Sequence, residues 1–328
     1  MQDNKVYRVE VSAKTIVFIV FFLIFLLLMW MIRDLLLTLF VAFIITSAAK
    51  PPVAWLEKKR IPRKLAVVFV FLLFITTISF LFFWVVPPLI GETTLLIKHM
   101  PSIISGIHPS VGTYINIDTL AQYIPNLTNQ VFLVIKSLFS NIMFLVTTIF
   151  FSVYLTMDRN FVKNILFQFF DDSEAVKIER IISTTEKRLG AWLLGELVLM
   201  FVVGFMTFIG LTFFGVKYAL PLSIIAGMLE VIPNIGPTIA TIPVFIIGVG
   251  QSYFLGFCLI GLYIIVQQLE NHLIVHFIMK KVTGLNPIIT LIALIIGGRL
   301  FGILGVILSI PFTLLLETVF IESIKKSK

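Results

Sequence analysis

Four charged side chains sit where water is scarce. Glu196, Glu230, Glu270 and Arg299 each lie inside a long apolar run of the chain, and Glu317 lies near the end of the last one. Ionisable groups in such runs are costly to bury, and they mark ion paths, proton relays or charge-pair locks. A carboxyl group removed from water gives up its charge readily, so buried glutamates can take up and release protons near neutral pH. An arginine keeps its charge and needs an anionic partner. Glu230 or Glu270 paired with Arg299 is therefore one expectation, either within a transport path or as a structural lock. Glu196 reads more simply as a helix-packing residue, and Glu317, close to the basic C-terminus, as interfacial.

Helix-breaking and polar residues gather around these charges. Glu230 opens "EVIPNIGP" (230–237), in which Pro233 and Pro237 each remove a backbone donor and Gly236 permits geometry that other residues resist. Glu270 belongs to "VQQLENH" (266–272), a polar helical face with Gln267, Gln268 and Asn271. Arg299 occupies "GGRLFG" (297–302). The expected arrangement has Glu230, Pro233, Asn234, Gly236 and Pro237 at one tip and Gly297, Gly298, Arg299 and Gly302 at another. Gln267, Glu270 and Asn271 line the path between them. Glu230 and Glu270 are the expected proton or ion site, and Arg299 the partner of substrate or acid. His272 and His276 stand one helical turn apart, either as a chelating pair or as the polar end of an interfacial helix. No nucleophile–base arrangement, phosphate loop or cofactor motif stands out, so neither an enzyme nor a cofactor is expected. The single Cys258 leaves no intrachain disulfide and no cysteine-based metal site.

Elements of membrane character must position these residues. Hydrophobic residues are 59% of the 328, charged residues 13%, and mean hydropathy is +1.07. A soluble domain carries roughly 25% charged residues, so lipid must be part of this chain's solvent. The net charge of +8 reads as membrane topology rather than nucleic-acid binding. Runs 15–32, 35–49, 65–86, 138–157, 189–214 and 253–274 are candidate spans. The segment 50–64 holds six Lys and Arg against one acid, and 158–188 holds six more, whereas 88–137 has only Lys98 and Lys136. The positive-inside bias puts 50–64, 158–188, Lys280-Lys281 and both termini in the cytoplasm. Residues 88–137 form a small outer region of amphipathic helices.

Parity then constrains what remains. Residues 219–250 must begin and end outside, and 286–317 must begin and end inside. Each is broken in its middle, so both read as re-entrant hairpins inserted from opposite faces, or else as pairs of short tilted spans or Pro-kinked helices. The expected fold is an all-α polytopic membrane protein of about eight membrane segments, two of them such hairpins. Its parts are 1–87 with the first three spans, 88–137 outside, 138–189 with the fourth span and a charged connector, and a transport core over 190–328.

Three stretches resemble the autoinducer-2 exporter family of bacterial membrane proteins. They are "LEVIPNIGPTIATIP" (229–243), the run from Gln267 to Phe312 with its "QLEN", "LNP" and "IIGG" elements, and more weakly "AAKPPVAWLEKKRIPRKLA" (48–66). The resemblance implies a secondary transporter of the bacterial inner membrane, assembled as a homo-oligomer such as a pentamer, with an elevator-like movement of the hairpin domain. It also implies one of three roles. Some members export autoinducer-2, a small polar solute; others exchange sodium or lithium for protons; others act around sporulation, where a non-transporting scaffold is the competing reading.

Overall fold

A computed structural model of the chain describes residues 13–80, 83, 95, 142–232, 235–274 and 285–324. The expected outer region 88–137, apart from residue 95, lies outside the described residues. So do Pro233, Asn234, His276, Lys280 and Lys281.

The described secondary structure is helical throughout. In chain order the helices are α1 (Ala13–Met31), α2 (Arg33–Lys58), α3 (Arg63–Phe80), α4 (Ile142–Met157), α5 (Phe161–Phe169), α6 (Asp172–Phe213), α7 (Ala219–Leu229), α8 (Ile235–Gln251), α9 (Tyr253–Leu269) and α10 (Pro287–Ile324). A π-helical turn, Glu270–Ile274, continues α9. Among the described residues, six segments are long and apolar enough to cross a membrane: Lys14–Met31, Arg33–Lys58, Arg63–Phe80, Asp172–Phe213, Tyr253–His272 and Leu304–Ile324.

The spine is α6. Its 42 residues make a rod of about 63 Å at 1.5 Å per residue, twice the thickness of a bilayer's hydrocarbon core. Leu189, Trp192, Glu196, Leu199, Val203, Thr207 and Leu211 recur at helical spacing and are all buried along one stripe. Residues 172–188 of the charged connector expected before the fifth span are thus the first part of that span's own helix, and α5 lies before them. The rod ends at Gly215 (φ +64), where the Val216 N–H donates back to the Leu211 carbonyl (2.9 Å). A left-handed glycine with that long backward bond is a common helix stop.

Small residues let neighbours press onto α6. A Cβ on Gly190 would stand 2.3 Å from the Ser47 carbonyl oxygen, so α2 meets α6 almost backbone to backbone. Gly227 of α7 packs the same way, with the Met200 oxygen 2.6 Å from its hypothetical Cβ. Across α2 and α4, Thr46 donates to the Ser152 carbonyl (3.2 Å) and Ser152 to the Ala42 carbonyl (3.2 Å). These bonds satisfy hydroxyls that would otherwise be stranded in an apolar core.

Charged pairs cluster at the basic end of the bundle. Lys50 of α2 meets Glu186 of α6 at 2.6 Å, and Arg188 of α6 pairs with Glu317 of α10 while donating to Thr318 (2.8 Å). Glu57 pairs with both Arg63 (3.3 Å) and Arg159. Glu317, expected to be interfacial, thus ties the end of α10 to α6.

The start of the chain departs from expectation. Runs 15–32 and 35–49 read as two separate crossings, which require a reversal between them. In the structure α1 closes with the Ile32 N–H on Leu28 O (3.0 Å) and α2 opens with the Leu36 N–H on Ile32 O (3.0 Å), so a single residue separates them. Only Ile32 leaves helical geometry, with φ −97° and ψ 9°. Arg33-Asp34 forms the first turn of α2 rather than a loop, so Ile32 alone separates two stretches that are each of spanning length. None of Lys14–Met31 is buried in the monomer.

Candidate functional site

The two broken regions are both helical hairpins. In the first, α7 and α8 share one core, with Leu222 and Ala226 of α7 beside Ala240, Val244 and Ile247 of α8. Gly236 is pressed so close to the end of α7 that a Cβ there would lie 1.8 Å from the Leu229 carbonyl oxygen. Pro237 is buried beside it in the first turn of α8, where a missing N–H costs no helical bond. The first arm has 11 residues, about 16 Å of helix, which is too short to cross the hydrocarbon core.

The second hairpin lies within α10. Gly302 has φ +61° and ψ −140°, a conformation natural only to glycine, and the chain doubles back there. Ser309 donates to the Ala293 carbonyl at 2.9 Å, although a straight helix would hold residues 16 apart at about 24 Å. Gly297 and Gly305 make the crossing, since a Cβ on Gly305 would meet the Gly297 oxygen at 1.9 Å. Gly298 has more room, with Val306 at 3.1 Å from its hypothetical Cβ. The outgoing arm, Ile288–Gly302, is short, and the returning arm, Leu304–Ile324, is of spanning length.

Glu230 caps the end of α7 at the first hairpin's turn and is 2% exposed. Its carboxyl group lies at hydrogen-bonding separation from that of Glu270, which opens the π-helical turn after α9. A bond between two carboxyl groups needs a proton on one of them. Gln267, one turn earlier on α9, donates from Nε2 to Glu270 Oε2 at 2.6 Å and so fixes that carboxyl group. A third acid joins them: Glu196 of α6, 3% exposed, is within electrostatic range of both. No N–H or O–H of the described residues reaches Glu196 Oε1 or Glu230 Oε2.

The packing explains the convergence. Gly204 and Gly227 bring α6 and α7 together in antiparallel register, with Gly204 against Ser223 and Gly227 against Met200. Continuing along that seam sets Glu230 level with Glu196. Along α6, Glu196 stands eight residues, about 12 Å, beyond Arg188 and its ion pair. None of the described ion pairs includes Glu196, Glu230 or Glu270. Among the described residues, no group of three His, Cys, Asp or Glu side chains is arranged to hold a metal ion.

The expected pairing of an acid with Arg299 is not present. Arg299 is exposed and enters none of the described ion pairs. The reason is architectural. The second hairpin packs on α2 and α6 through Ile310, Leu314, Ile44, Leu189 and Trp192, whereas the first belongs to a separate core with Leu211, Leu259 and Tyr263. Asn271 is exposed, Gln267 is half-buried, and Glu196, set aside as a packing residue, stands in the cluster instead.

Residues 19–325 match the AI-2E family transporter description. The chain belongs to the AI-2E transporter family. Similar proteins include YrrI of Bacillus subtilis (strain 168), 24% identical over 90% of this chain and 88% of that one. YueF of the same organism is 28% identical over 90% of this chain and 86% of its own. The AI-2 transport protein TqsA of Escherichia coli (strain K12) is 24% identical over 86% of this chain and 83% of its own. This family member is therefore a multi-pass membrane transporter, with its buried acids gathered at the first hairpin.

Proposed function

We propose that this transporter is a proton-coupled secondary transporter of the bacterial inner membrane, moving a small polar solute or exchanging cations for protons. The observation that carries the reading is the buried cluster of Glu196, Glu230 and Glu270, with no basic group of the described residues in ion-pair contact. Three carboxyl groups in an apolar setting cannot all hold charge, so the cluster must hold protons or trade them for another cation. Glu230 and Glu270 stand close enough for one proton to be shared between two acids. The short first arm supports a hairpin that enters the membrane and turns back, with its turn at the cluster. The name of TqsA favours a solute like autoinducer-2, and the uncompensated acids favour cation exchange. Segments 50–64 and 158–188 are assigned to the cytoplasm, and self-association with elevator-like movement of the hairpins completes the reading.

The test is proton movement in proteoliposomes with an internal pH dye, adding sodium, lithium, potassium and then autoinducer-2. Wild-type protein should move protons with at least one of these, and Glu230→Gln should not. Folded wild-type protein that moves none under any addition sinks the coupling and leaves the membrane-scaffold reading.

A further inference from the structure

A cavity of about 190 Å³ opens at the basic end of the bundle, where α4 hands over to α5 against α2 and α6. Its depth in the membrane can be read along the helices. The apolar run of α2 ends at Lys50 and that of α4 at Asp158, and both residues line the cavity. Phe43 lies seven residues before Lys50, about 10 Å toward the hydrocarbon, and Leu155 lies nearly one turn before Asp158. With Val162 and Ile182 they form its apolar wall. Glu179, seven residues before Glu186 on α6, lies about 10 Å in the other direction, toward water. The cavity therefore straddles the plane where acyl chains give way to headgroups. Pockets for drug-sized ligands begin at about 300 Å³, so this one suits a smaller polar group.

Its charges fall into two sets. Lys50 is committed to Glu186 (2.6 Å) and Arg159 to Glu57. Asp158, Glu179 and Lys163 line the same cavity and enter none of the described ion pairs. Asp158 accepts at Oδ1 from the Asn160 N–H (2.9 Å), which leaves Oδ2 available. The half-buried Glu179 carboxylate accepts no hydrogen bond from the described residues. The Lys163 ammonium has only the Phe167 ring, 5.5 Å away. Two uncommitted carboxylates beside one uncommitted ammonium leave the cavity one positive charge short.

We propose that this cavity binds the headgroup of an aminophospholipid, its primary ammonium between Asp158 and Glu179, its phosphate at Lys163, and its first acyl carbons along Phe43 and Leu155. A primary ammonium brings three N–H donors to the two carboxylates, and such charge-assisted bonds are the strong ones. The order along the bundle matches the lipid: apolar wall innermost, Lys163 and Asp158 at the headgroup plane, Glu179 outermost. An anionic headgroup fits less well. The cations that would take it, Lys50 and Arg159, are already paired, and the two acids repel it. A choline headgroup carries the charge but no N–H donor. The inference is independent of proton coupling and holds whichever solute or ion the glutamate cluster moves.

The test is lipid binding by the delipidated full chain in detergent, read as adducts in native mass spectrometry, with dioleoyl lipids that differ only in the headgroup. Phosphatidylethanolamine should bind about tenfold more tightly than phosphatidylcholine or phosphatidylglycerol, with its N-methyl and N,N-dimethyl derivatives in between. This series needs no variant, so it stands whatever the substitutions do to folding. Asp158→Asn combined with Glu179→Gln should bring the preference below about twofold. Asp34→Asn, an exposed acid in the first turn of α2, should leave it unchanged. Equal binding of ethanolamine and choline lipids by wild-type protein overturns the proposal, as does a preference that survives in a folded double variant. A preference for phosphatidylglycerol overturns it too, since the site would then be read as basic. Soluble phosphoethanolamine should not displace the lipid at equal concentration; if it does, the occupant is a free zwitterion and the lipid assignment falls.

Discussion

At the scale of single residues, the site is a matter of which side chains are fixed and which glycines are indispensable. Gln267 holds Glu270 directly, whereas Asn271, its neighbour in the same polar motif, is exposed. Gln267→Leu should therefore lower transport several-fold in proteoliposomes, while Asn271→Ala should leave it near wild type; equal effects would contradict the geometry. Gly236→Ala forces a methyl into the Leu229 carbonyl and should destabilise by about 1–3 kcal/mol, read as a lowered melting temperature in detergent. Gly261→Ala, with nothing within 4 Å, should instead be neutral or stabilise by about 0.5–1 kcal/mol. Much of this was legible in the sequence. Glu230 and Glu270 announce themselves as acids beside breakers and amides in apolar runs. Glu196 did not, because its place depends on the Gly204–Gly227 contact, a distance between helices that no local pattern encodes. A signal did exist: Glu196 and Thr207 fall on the same face as Leu199, Val203 and Leu211, so a polar pair interrupts an otherwise apolar stripe.

At the scale of elements, the breaks in the sequence became reversals because each has a residue that only a turn accommodates. Gly302 supplies a positive φ, and Gly297 and Gly305 allow its two arms to touch. Cysteines at Ala293 and Ser309, in a chain whose Cys258 is replaced by Ala, should therefore form a crosslink on mild oxidation. A straight α10 holds those positions about 24 Å apart and gives none. Gly302→Val should reduce the crosslink yield, since a β-branched residue resists that backbone conformation. The junction of α1 and α2 shows the opposite case. Arg33-Asp34 stands between two apolar runs, where charge usually ends a span, but charge alone does not keep residues out of a helix. Both residues joined the first turn of α2. The merging of the charged connector into α6 has the same cause: residues 172–188 contain no glycine or proline, so nothing stops the helix at the edge of the apolar run.

At the scale of the whole molecule, class and segment character were written in composition, but arrangement was not. Hydropathy fixes how much of the chain meets lipid; which helices touch is set by small residues on facing stripes, such as Gly190 against Ser47. The exposed α1 gives a test of that division. Removing residues 1–31 should leave the melting temperature of the remaining bundle within about 2 °C, because none of Lys14–Met31 is buried in the monomer. A large drop would mean that α1 is held by contacts with other copies. The long helix carries a further consequence. Glu186 and Arg188 tether α6 to α2 and α10 at one level, leaving 17 residues on one side, about 25 Å, and 25 on the other, about 37 Å. Because α7 and α9 also grip the rod at Gly204 and Gly210, it moves only together with them. Tilting it by about 5° swings the charged end by about 2 Å and the opposite end, beside the first hairpin, by about 3 Å the other way.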